Sequence, residues 1–210
     1  MADIMANPGV TPKRRAMIDA AEQLFLAHGY GDASMDAVAR LAGVSKATLY
    51  AHFTSKDVLF ATIVGERGMM QTFEETELPA EIDDLGASLI RIGHLWLGFM
   101  MRPRTLAIYR IAVAESLRFP ELGRAFYLNG PLKTHRRFAE WARGLQARGM
   151  IEAADLDSAS SQFFALLRGL MFMRATLAVD PPTMEELDAG VRDAVQTWLK
   201  AFGRRASPPA

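Results

Sequence analysis

Cysteine is absent from the 210 residues, which excludes disulfides and thiolate metal sites outright. Net charge of either sign is absent as well, since 24 Lys and Arg balance 24 Asp and Glu. A whole-chain balance conceals local patches, and the patch is what neutralises phosphate. Long apolar runs are missing. The longest, 89–101, is interrupted by Arg91 and His94 and is too short to span a bilayer. The first ten residues lack the basic start and apolar stretch of a signal peptide. Together these features predict a cytoplasmic chain without membrane contact. Alternating β-branched runs bounded by hairpin turns do not occur, nor do solenoid-period repeats or low-complexity blocks. Catalytic constellations are missing too. His28, His52, His94 and His135 form no i, i+4 pair and no His-Glu-x-x-His, and neither a phosphate-binding glycine loop nor a nucleophile elbow is found. No enzyme, metal or cofactor is expected.

What remains is helical periodicity. Half the residues are apolar and 23% are charged, an ordinary globular balance. The expected fold class is all-α: an amino-terminal three-helix helix-turn-helix domain followed by a larger helical domain. Thr11 and Pro12 suit the start of a first helix, with Ile18, Ala21, Leu24, Phe25 and His28 on one stripe and Gly29 at its close. Ser34 caps a second, short helix with Val38, Leu41 and Ala42 inward. Gly43 ends it. Ser45 caps a third, carrying Leu49 inward and ending at Phe53, and Ser55 caps a fourth running from Lys56 towards Leu78 and Pro79. Apolar-periodic segments then cover 82–101, 105–117, 122–149, 157–177 and 184–202, with Asn129-Gly130-Pro131 dividing or kinking the third. The expected domains are a disordered arm (1–11), a DNA-binding domain (12–58), a ligand-binding and dimerisation domain (59–203) and a disordered tail (204–210).

The unit that carries function is 34–53, two short helices joined by Ala42-Gly43-Val44-Ser45. Such a corner lets the second helix project its first turn into a major groove. That turn shows Lys46, Ala47 and Thr48: a cation, a small residue permitting close approach, and a hydroxyl with a methyl. They suit phosphate, backbone and base-edge contacts. Tyr50 and His52 stand where they reach flanking phosphates. Lys56, Ser34 and Ser45 stand at helix starts, whose free amides attract phosphate. Between residues 11 and 56, Lys13, Arg14, Arg15, Arg40, Lys46 and Lys56 outnumber Asp19, Glu22, Asp32 and Asp36. Read as bare pattern, the same helices equally fit a protein-interaction module.

The wording of 42–53, followed by Ser55-Lys56-Asp57 and Leu59, resembles the DNA-binding signature of the TetR family. The resemblance extends back through Ile18, Ala21, Leu24, Phe25, Gly29, Tyr30, Ser34, Met35, Val38 and Ala39. Ala47 stands where many members carry glycine. It implies that Lys46, Ala47, Thr48, Tyr50, His52 and Lys56 line DNA. It further implies a homodimer on a palindromic double-stranded operator, and repression relieved by a small molecule. Residues 114–122, 125–127 and 166–170 resemble an AefR-like carboxy-terminal domain. The segments 157–177 and 184–202 are the expected dimer helices, with apolar residues around much of 163–173 and Ala165, Gly169, Ala189 and Gly190 for close approach. Candidate effector contacts are His94, Leu97, Tyr109, Tyr127, Trp141 and Arg168, polar or aromatic groups on apolar helices. The inducer is expected to shift the two reading heads by moving the fourth helix.

Overall fold

The computed structural model describes residues 11–66, 78 and 82–204. Among them lie ten helices: α1 (Pro12–Asp32), α2 (Met35–Leu41), α3 (Lys46–His52), α4 (Lys56–Glu66), α5 (Leu85–Met100), α6 (Pro103–Glu115), α7 (Pro120–Asn129), α8 (Pro131–Ala147), α9 (Leu156–Thr176) and α10 (Met184–Phe202). No strand occurs among the described residues, only an isolated bridge between Ile151 and Gly203. No described helix is long and apolar enough to cross a membrane.

The chain divides into two compact units. One joins the chain up to residue 67 with 107–129; the other joins 68–106 with the chain from residue 130 onward. This differs from the expected division after residue 58. The reason is packing: α7 lies along α4 and contributes Leu122 to the core of the first unit, as α6 contributes Ile108 and Ala112. The proposed arm lies outside the described residues except for Thr11, and the proposed tail except for Arg204, whose amide donates to Met150 O at 3.1 Å. The expected continuation of α4 towards Leu78 also lies mostly outside them.

In the first unit the core is built from Met17, Ile18, Ala21 and Phe25 of α1, Val38 and Ala39 of α2, Leu49 of α3 with Phe53 just past its end, and Leu59, Phe60 and Ile63 of α4. Two expected inward residues point elsewhere. His28 is exposed, one residue before the helical path of α1 breaks at Gly29 (φ 79°). Leu41 is 49% exposed, because Val38 and Ala39 already fill the narrow inner face of a two-turn helix.

In the second unit α9 packs against α8 and α10, and α5 packs against α10. Aromatic rings fill its centre. Phe138 and Phe163 stack at 4.6 Å between ring centroids, and Trp198 sits edge-on to both while its Nε1–H donates to Ala159 O at 2.8 Å. A Cβ on Gly93 would fall 2.8 Å from Val191 Cγ1, so α5 lies close on α10 only because that position has no side chain. Gly190, one of the small residues expected to allow close helix approach, faces Met171 of its own chain. The segment 122–149 is split between α7 and α8 at Gly130-Pro131, as the sequence pattern indicated.

Candidate nucleic-acid interface

Each short helix of the first unit begins on a hydroxyl cap. Ser34 Oγ accepts the Ala37 amide at 3.1 Å, Ser45 Oγ the Thr48 amide at 3.1 Å, and Ser55 Oγ the Val58 amide at 3.4 Å. Capping satisfies amides that a helix end would otherwise leave open. A serine oxygen that accepts a cap bond still has its own proton to donate. The turn between α2 and α3 closes at Gly43, where φ is 66°, a value that favours glycine. The Val44 amide donates back to Ala39 O at 3.0 Å, and Val44 packs against the core.

This frame fixes which way α3 faces. Leu49 and Phe53 are buried, whereas Lys46, Ala47, Tyr50 and His52 are exposed and Thr48 is half-buried. Lys46 Nζ is paired with Asp36 on α2, and both side chains remain open to solvent. Thr48 Oγ1 shares a 2.8 Å hydrogen bond with Ser45 Oγ. The first turn of α3 therefore offers a cation, a methyl-sized residue and hydroxyl groups on one outward surface. Lys13, Arg15 and Arg40 are exposed as well.

Lys56 is placed differently from the expected phosphate contact. Its Nζ donates to Tyr30 O at 2.6 Å, Gly31 O at 3.2 Å and Ala33 O at 2.9 Å. It also lies 4.3 Å from the Tyr30 ring centroid and 5.5 Å from that of Phe119. All three ammonium protons are thus committed to the end of α1, and the residue acts as a clamp. Burial pushes its pKa down, against the opposing influence of Glu115 and Asp32. Burial likewise pushes the Tyr30 phenol up to about 12, aided by Asp57 and Glu121. Arg14 is also engaged internally, with both Nη atoms 2.5 Å from the Glu66 carboxylate.

Sequence reasoning missed the corner between α6 and α7 as part of this unit. Glu115 Oε1 accepts the Gly31 amide at 3.4 Å, and Phe119 meets the Tyr30 ring edge-on at 5.2 Å. Only the tertiary fold places residues 84 positions apart at the end of α1.

The six expected effector contacts are divided between the two units. Tyr109 and the exposed Tyr127 belong to the first unit, and the other four to the second. His94 Nε2 sits 3.0 Å from the Asp188 carboxylate, on the surface. Leu97 is fully enclosed in the core, where its role is packing, and Trp141 borders Phe138 at 5.4 Å. Arg168 alone of the six is a charged group set among aromatic faces, Trp96 at 5.9 Å and Phe172 at 5.7 Å.

Residues 17–63 match the DNA-binding region described as bacterial regulatory proteins of the tetR family, and residues 87–204 match the AefR-like transcriptional repressor carboxy-terminal domain. The transcriptional regulator UidR of Escherichia coli K12 is 28% identical over 151 residues, 70% of this chain and 73% of that protein. The flavonoid-responsive regulator FrrA is similar in structure with a TM-score of 0.79 and 36% identity, covering 92% of this chain and 98% of that one. A TetR-family regulator from Mesorhizobium loti MAFF303099 gives a TM-score of 0.80 at 29% identity, over 91% and 97% of the two chains. A capped helix-turn-helix with an outward reading turn, a helical second unit, and matches spanning both make this chain a transcriptional regulator of the TetR family, with an AefR-like carboxy-terminal domain.

Proposed function

We propose that the protein is an effector-responsive repressor that binds a palindromic operator as a homodimer in the cytoplasm. The observation that carries this reading is the orientation of α3, in which Leu49 and Phe53 anchor the helix while Lys46, Ala47, Tyr50 and His52 stand outside. A single such helix makes few base contacts, so specificity calls for two copies on a two-fold site. Lys46 is assigned to phosphate, Ala47 and Thr48 to the base edges, and Tyr50 and His52 to the flanking backbone. Ser34 and Ser45 add hydroxyl donors beside them.

An apolar stripe supports the dimer. On α9, Leu166 is 39% exposed, Leu170 76%, Met173 57% and Leu177 follows just past the helix at 67%. Leu170, Met173 and Leu177, spaced by three and four residues beyond Gly169, form the kind of seam a second helical copy covers. The AefR-like match, described as a repressor domain, supports repression. A structural relative described as flavonoid-responsive supports a small organic effector. The effector is assigned to the helical second unit.

The test is operator retention by the intact chain, using a labelled fragment from upstream of its own gene. Wild-type protein should bind it with an affinity that falls steeply as salt rises. Lys46→Ala and Tyr50→Ala should each weaken binding by roughly tenfold, in line with about 1–3 kcal/mol for a direct contact, with the fold unchanged. Normal binding by both variants would refute the assigned surface.

A further inference from the structure

Arg168 stands out among the cations of the second unit. Its Nε is shut off from solvent and has no hydrogen-bond acceptor among the described residues, and its guanidinium pairs with no described carboxylate. The plane instead lies over Trp96 and Phe172. An unsatisfied buried donor is costly, and a guanidinium fork is shaped to receive a planar anion.

The surroundings add to this. Phe164, one turn before Arg168, touches Trp96 at 5.1 Å and the His135 ring at 4.7 Å. His135 Nδ1 lies 2.7 Å from Pro131 O, so that nitrogen carries the proton and donates, leaving Nε2 as an acceptor in the neutral ring. Burial pushes the His135 pKa down, opposed by its hydrogen bond to Pro131 and reinforced by the charge of Arg168. Directly after Arg168 the helix is broken at Gly169 (φ 47°, ψ −162°), and a Cβ there would meet nothing within 4 Å. A mid-helix dihedral of this kind is an outlier that points towards function.

We infer that Arg168 is the anchor of the effector site, and that the effector is an aromatic organic anion whose acidic group seats on the guanidinium between Trp96 and Phe172. The neutral His135 Nε2 then accepts a hydrogen bond from a ligand hydroxyl. The inference rests on the reading of the chain as effector-responsive, and it adds the ligand's charge class and its anchor.

Two fluorescent probes with the same ring system separate the possibilities: 8-anilinonaphthalene-1-sulfonate, an aromatic anion, and N-phenyl-1-naphthylamine, its uncharged counterpart. Both are titrated into the full-length protein, its Arg168→Gln variant and its Arg168→Lys variant, with thermal melting and operator binding as fold controls. The expected result is that the sulfonate binds wild type and loses about tenfold or more in Arg168→Gln. The neutral probe should change less than about twofold, and Arg168→Lys, which keeps the charge without the fork, should fall between. Unchanged sulfonate binding in both variants, or an equal loss of both probes, overturns the anion anchor while leaving the effector-responsive reading in place. Should neither probe bind wild type, the effector-site reading itself fails, and the anchor with it. If Arg168→Gln does not fold, sulfonate affinity in Arg168→Lys equal to wild type overturns the proposal.

Discussion

Two residues in the reading head have roles that charge counting misassigns. Lys46 is the cation best placed for phosphate, yet Asp36 already holds it. An exposed pair of this kind contributes little stability, so its consequence is competition with DNA. Replacing Asp36 with Asn should therefore tighten operator binding by several-fold, measured by fragment retention at fixed salt, and leave the melting temperature nearly unchanged. Weaker binding would mean that Asp36 is needed to aim Lys46. Lys56 looks equally available in sequence, but its three donors reach Tyr30, Gly31 and Ala33 carbonyls. Lys56→Met keeps the aliphatic stem and strands those acceptors, at a cost of about 1–3 kcal/mol. Urea unfolding checks this, and a variant as stable as wild type would show the clamp to be idle. Nothing in sequence separates these two lysines, because what distinguishes them is which backbone lies within reach.

At the scale of elements, helix starts were legible because a cap is a local event. Thr11, Ser34, Ser45 and Ser55 each accept an amide three residues on, as their positions before apolar-periodic runs indicated. Helix interiors were less legible. The break at Gly169 lies within a segment of continuous helical periodicity, and only the dihedral reveals it. The corner joining α9 to α10 has its own ionic lock. Arg174 holds Asp180 and, at 2.9 Å, Glu186, whose other oxygen accepts the Thr183 amide at 2.8 Å. Hydrogen bonds from Arg174 lower the pKa of both carboxylates below their ordinary values. A lowered folded pKa means the contribution is complete above the ordinary carboxylate range and is lost as pH falls through the lowered values. Thermal midpoints measured from pH 6 down to pH 2 should thus fall further in wild type than in Arg174→Gln, with the difference closing at the acid end. A constant difference across that range would exclude the lock as the source. These side chains are exposed, so salt should blunt the effect.

At the scale of the molecule, the proposed dimer turns on the α9 stripe. Leu170→Glu places a charge in the most exposed part of it and should shift the protein towards monomer in size-exclusion chromatography. Operator affinity should fall at least tenfold because paired reading heads are lost, while helix content holds. A dimer that persists unaltered would send the search to another face. The two compact units also divide the chain at places no composition shift marks. Helix α6 runs unbroken from one into the other, so covalent continuity between them does not depend on α4 alone.

The sequence by itself determined what short-range physics determines: an all-helical chain, capped helix starts, a glycine-cornered pair of helices, and a recognition turn whose residue types suit DNA. These follow from hydroxyls, glycines and apolar spacing within a few residues of one another. Only the tertiary structure decided that Lys56 clamps α1, that α7 belongs with the DNA-binding unit, and that Arg168 rather than His94 or Leu97 lies bare against aromatic faces. Each of those outcomes depends on atoms brought together from distant parts of the chain, and on whether a charge finds a partner there.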